Sequence, residues 1–111
     1  MASQIAFGEV GVNGILQLQP VNAGDNSPVI DIEDKKTIEV FGLADQGNVA
    51  FQFAFGGVDG NMFLLPQLYS IPTSSGAFKI DVPHTEAKFF QIFASTVPTE
   101  PTGVKMVVCF K

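Results

Sequence analysis

Any nucleophilic chemistry in this chain would have to be built around one histidine, His84, within Val82-Pro83-His84-Thr85-Glu86. Ser74, Ser75 and Asp81 stand near it in sequence, but no Gly-x-Ser-x-Gly elbow presents a serine. A triad needs nucleophile, base and orienting acid together, so His84 reads as an exposed loop side chain. Cys109 alternates with Val108 and Phe110, and Lys105 and Lys111 share its alternation. A reactive thiolate needs a cation or a helix N-terminus beside it; a small, half-buried hydrophobe is the plainer role. Carboxylates gather at Asp31, Glu33 and Asp34, with Asp25 upstream and Glu39 downstream. A hard cation takes several oxygens at short loop spacing, but EF-hand spacing is absent and a charged turn between strands accounts for these residues. Gly56-Gly57-Val58-Asp59-Gly60 precedes no helix and reads as a hairpin turn instead of a phosphate cradle. Paired carboxylates that cleave glycosides usually sit in an aromatic-lined cleft, and the chain has no Trp. No catalytic residue, cofactor-binding residue or metal ligand emerges, and the chain is expected not to be an enzyme.

Composition points the same way. In 111 residues, 46% are hydrophobic and 15% charged, against the ~25% charge usual in soluble domains. Eleven Phe, one Tyr and no Trp supply aromatic mass with few polar handles, which suits dry cores and dry interfaces. The net charge is −5, and every basic residue is Lys. Without a basic face or a guanidinium fork, nucleic-acid binding is not expected, nor is attraction to an anionic membrane. One cysteine forms no internal disulfide and no four-thiolate zinc site. The first residues carry no basic stretch followed by an apolar run, so no secretory signal is read there.

The elements that must position any site are strands. Seven Pro and eleven Gly punctuate the chain, and no window keeps helical apolar spacing. Gln4 to Val12 reads as an irregular strand, joined through Asn13-Gly14 to Ile15–Gln19 by an expected type I′ turn. Pro20 to Pro28 reads as a polar loop, and Val29 to Ile32 as a short strand. Thr37 to Leu43, Asn48 to Phe55, Met62 to Leu65, Gly76 to Val82, Lys88 to Ser95 and Val104 to Lys111 follow. Val49, Phe51, Phe53 and Phe55 share one face, where a one-residue slip would turn the phenylalanines outward. The expectation is an all-β chain: a single domain over 1–111, an antiparallel β-sandwich or jelly-roll-like fold of about eight or nine short strands.

Phe51, Phe53, Phe55, Phe78, Ile80, Val104, Met106 and Val108 suffice to fill the core of such a sandwich. Phe41, Phe63, Tyr69, Phe90 and Val107 are then left for the outer faces, and with so little charge around them they are candidate protein-contact residues.

From Thr37 to Phe110, two thirds of the chain, the order of elements is itself suggestive. Val49-Ala50-Phe51-Gln52-Phe53 carries a central Gln, Asp59-Gly60-Asn61 turns just before Phe63, Gly76-Ala77-Phe78-Lys79-Ile80 follows, and an apolar strand closes. This pattern resembles the small β-sandwich virion proteins of tailed bacteriophages, the head-decoration or cement proteins, with Met62 standing where a Trp is expected. The resemblance implies a structural protein that forms trimers or other homo-oligomers, binds and stabilises the major capsid protein lattice, needs no cofactor, and resides on the capsid surface after synthesis in the host cytoplasm. The alternative expectation is a carbohydrate-binding or adhesive module, because a sandwich serves either role.

Overall fold

The computed structural model describes residues 2–45, 49–57, 59, 61–70, 77–82, 86–96 and 102–111. His84, Ser74 and Ser75 lie outside them. Twelve strand segments are described: β1 (Ala2–Phe7), β2 (Glu9–Val10), β3 (Leu16–Gln17), β4 (Gln19–Val21), β5 (Ile30–Asp31), β6 (Ile38–Ala44), β7 (Ala50–Gly56), β8 (Met62–Leu64), β9 (Tyr69–Ser70), β10 (Ala77–Val82), β11 (Phe89–Thr96) and β12 (Thr102–Phe110).

They build two large antiparallel sheets and a two-stranded ribbon, β2–β3. In the first the order is β1-β12-β6-β10, with β4 also on β12. Since β6 lines the other side of β12 from Val104 to Phe110, β1 and β4 lie end to end along one edge. In the second the order is β5-β11-β7-β8, and β9 extends the β8 edge along β7. Counting each end-to-end pair as one position, the described strands of the two large sheets fill eight positions in the orders 1-8-3-6 and 2-7-4-5. It changes sheet at every step but one, the arrangement of a jelly roll. The all-β, antiparallel sandwich reading therefore holds, and the larger segment count arises because two edge positions are each broken in two and β2 and β3 form a separate two-stranded ribbon.

The alternation that selects these strands also fills the space between the sheets. Val104, Met106 and Val108 from β12, Ile38 and Val40 from β6, Phe51 and Phe53 from β7, and Phe90 and Ile92 from β11 are all buried. Phe55, Phe78 and Ile80 pack against them at the margin. Rings bridge the layers: Phe51 of the second sheet lies 5.8 Å from Phe7 and 6.2 Å from Phe78 of the first. Phe78 faces Gly42 across the β10–β6 ladder, and a Cβ at Gly42 would come within 2.4 Å of its ring. Glycine is there to make room for the phenyl group.

The strand read over Gln4 to Val12 is split at Gly8 into β1 and β2, β9 was not read at all, and two further segments differ in kind. Pro20 and Val21 belong to a strand, since an edge position spares proline a ladder donor, and Val21 is 1% exposed. The Asn13-Gly14 hairpin exists, but Gly14 donates to the Gly11 carbonyl (2.9 Å) and Gly11 to that of Ile15 (3.0 Å), with Gly14 at φ 80° and Asn13 not at positive φ. That is a three-residue loop closed by a left-handed glycine, not a type I′ turn. Asn13 Oδ1 accepts from the Ile15 amide and holds the loop.

Candidate functional site

The five candidate contact residues separate into three groups. Phe41 and Val107 are direct cross-strand partners on the outward face of the first sheet, and Ile5 is the partner of Val107 on its other side. They form one row, Ile5–Val107–Phe41, ending at Lys79, which is opposite Phe41. Phe41 is 41% exposed and Ile5 37%. Lys79 holds its ammonium 5.8 Å from the Phe41 ring and pairs with Glu39 at 2.9 Å and Asp81 at 3.5 Å. The hydrogen bond to Glu39, helped by the charges of Asp81 and Glu39, keeps the Lys79 pKa above its ordinary 10.5.

Phe63 lies elsewhere, on the outer edge of the second sheet. It is opposite Phe55 and is 66% exposed. Leu64, Leu65 and Leu68 are exposed beside it. Leu65 donates its amide to the Phe53 carbonyl and accepts from the Gln52 side chain, so this apolar stretch is fastened to β7.

The other two residues are not on an outer face. Phe90 is fully buried, edge-on to Phe53 at 5.1 Å and 5.3 Å from Phe55. Tyr69 is opposite Phe51, is half-buried, and stacks on Phe53 at 4.3 Å. The β11 pattern Phe89-Phe90-Gln91-Ile92-Phe93-Ala94-Ser95 has aromatic residues in both phases, so hydrophobicity alone does not choose the inner face. The polar Gln91 and Ser95 do: they mark the outward phase, which Phe89 and Phe93 share. Tyr69 was hidden because its strand is two residues long.

A further group was missed at the sequence level. Val10, Val12 and Ile15 are all more than half exposed on the β2–β3 ribbon, which pairs with neither large sheet. Each looks unremarkable in the sequence, and it is the pairing of β2 with β3, Val10 opposite Leu16, that sets them on one hairpin. The signal was available in the Gly11 to Gly14 turn flanked by branched residues.

The remaining chemical candidates are occupied by structure. Asp31 Oδ1 accepts from the Glu33 amide, Glu33 pairs with Lys88 at 3.5 Å, and Asp34 sits at φ 64° in the turn. Among the described residues no three His, Cys, Asp or Glu side chains gather at metal-binding distance. Cys109 is half-buried, and its partners across the sheet are Ser3 and Glu39. Asp59, which a glycan site would need free, accepts from both the backbone and the side-chain amide of Asn61. A cleft of about 540 Å³ runs between the β1–β4 edge and the loop around Asp25. Among the described residues lining it, Asp25 is the one carboxylate and already accepts from the Asn22 amide at 2.8 Å, and Phe7 is the one aromatic residue.

No family model, no curated protein and no solved structure matches the chain.

Proposed function

We propose that the chain is a structural assembly protein, a capsid decoration or cement protein that binds a major capsid protein lattice and stabilises it. One observation carries the reading: the exposed apolar stretch Phe63-Leu64-Leu65 with Leu68, fastened along one sheet edge. A monomeric domain scatters its surface apolars singly, whereas four large ones exposed within residues 63–68 at one sheet edge favour a protein contact. The fold is compatible with this role but does not select it, because jelly rolls serve capsids and lectins alike. The lack of Trp and the stacking of the one Tyr against Phe53 favour protein over sugar as the partner.

The test is co-sedimentation with shells assembled from the capsid protein encoded in neighbouring reading frames. The wild-type chain is expected to pellet with shells, and Phe63→Ser with Leu64→Ser to stay in the supernatant while keeping its fold. A folded wild-type chain that leaves those shells bare, or a genome with no capsid or portal genes beside it, refutes the reading.

A further inference from the structure

As the described residues form them, the two large sheets have four outer edges, and three are guarded against another strand. β10 carries Lys79 and Asp81 outward, paired with each other and with Glu39. β5 is two residues long and ends in Asp31. β8 and β9 are three and two residues long, with Pro66 between them. Charge, shortness and proline are the usual devices that stop edges from pairing. β1 has none of them. Its six residues, ASQIAF, contain no charge and no proline, and β12 is its one paired strand among the described residues.

We propose that β1 pairs with β1 of a second copy, antiparallel across a twofold axis at Gln4, so that two first sheets become one. The inference rests on the assembly reading above and names the element that makes its homotypic contact.

Three features argue for a second copy as the occupant. Each chain carries a net charge of −5, so contacts between copies generally oppose like charges, and β1 is an edge strand without any. An axis at Gln4 sets Ser3 opposite Ile5 of the other copy, both on the outward face, as antiparallel pairing requires. The row Phe41–Val107–Ile5 then continues into Ser3 and Cys109 of that copy. Gln4 meets itself. Its half-buried amide has no hydrogen bond within the described residues, and an amide, being both donor and acceptor, is complementary to its own twofold image. The irregularity between Ile5 and Phe7 bends the strand and ends the straight segment. With one open edge per copy, such a contact closes at two and does not propagate into a fibre.

Light scattering over a concentration series tests the pairing. The wild-type chain is expected to approach twice its 11.9 kDa. Ser3→Glu with Ile5→Glu places glutamate opposite glutamate at both pairs and is expected to halve that mass. Ser3→Glu with Ile5→Lys places glutamate opposite lysine and is expected to keep the dimer. A dimer that survives the all-glutamate variant, or a Glu/Lys variant that dissociates equally, overturns the β1 contact. If the all-glutamate variant fails to fold, Gln4→Cys in a Cys109→Ser chain takes its place: oxidised glutathione is expected to link it into a dimer and to leave Ser3→Cys in the same background unlinked, and the reverse pattern overturns the pairing. A wild-type monomer at every concentration also overturns it. Shell co-sedimentation of that same sample then tells the two failures apart, since a monomer that still binds shells removes only the twofold contact.

Discussion

Replacing Phe90 by alanine separates core from contact more cleanly than any other single change. Phe90 is fully buried between Phe53 and Phe55, whereas Phe41 is 41% exposed on the outer face. A buried phenylalanine removes about 200 Å² from water, worth about 5 kcal/mol at ~25 cal/mol per Å². Its edge-to-face contact adds about 1 kcal/mol, while the alanine methyl and partial collapse of the site return some of the loss. The net expectation for Phe90→Ala is about 4 kcal/mol, a large share of the ~5–15 kcal/mol that holds a domain folded. Thermal unfolding should fall by about 15–25 °C and the urea midpoint by more than about 1 M. Phe41→Ala loses a partly wet ring and its contact with Lys79, and should cost about 1–2 kcal/mol. Equilibrium urea unfolding of both variants decides the matter. If Phe90→Ala costs no more than Phe41→Ala, the interior placement of Phe90 and the inward phase assigned to β11 are wrong.

Gly42→Ala should destabilise by about 1–3 kcal/mol, because the new methyl meets the Phe78 ring and the Lys105 carbonyl; adding Phe78→Leu should recover part of the loss in the same melts. Ser27→Ala removes the hydroxyl that accepts from the Ile92 amide at 2.9 Å in a buried position, so about 1–3 kcal/mol should be lost and Ile92 should exchange its amide hydrogen faster. Lys79 should titrate above 10.5 by nitrogen NMR, and Glu39→Gln should bring it down. Because the folded value is raised, the interaction is fully present below 10.5 and is lost as pH rises through the folded pKa. The group is exposed, so the shift should be visible in the titration and hardly at all in a melt.

Alternation made β6, β7, β10 and β12 legible, because one phase of each is apolar and the other carries Glu39, Gln52, Lys79 or Lys105. Where both phases are aromatic, as at Phe89-Phe90, the sequence leaves the face undecided until the polar positions are weighed instead of the apolar ones. β4 was hidden by Pro20 and β9 by its length: neither break in an edge position has a local signature, because the partner that makes each a strand lies far along the chain. Val104 is the cross-strand partner of Gln19, and Phe51 that of Tyr69. The row Ile5–Val107–Phe41 illustrates the same limit. Its members are identifiable one by one as outward apolars, but their adjacency is fixed by register between strands at opposite ends of the chain.

That register also dictates when the molecule can acquire its shape. Ala2–Phe7 is paired with residues 106–110, so β1 is synthesised well before the strand that completes it. Loop-closure entropy across a hundred residues must be met before this pairing returns anything, and topologies dominated by such distant partners fold slowly, in milliseconds to seconds. Until then an uncharged, proline-free strand stands unpaired on both sides in a crowded cell. The nascent chain is therefore at its most vulnerable to misassociation, and most in need of a chaperone, just before synthesis supplies β12.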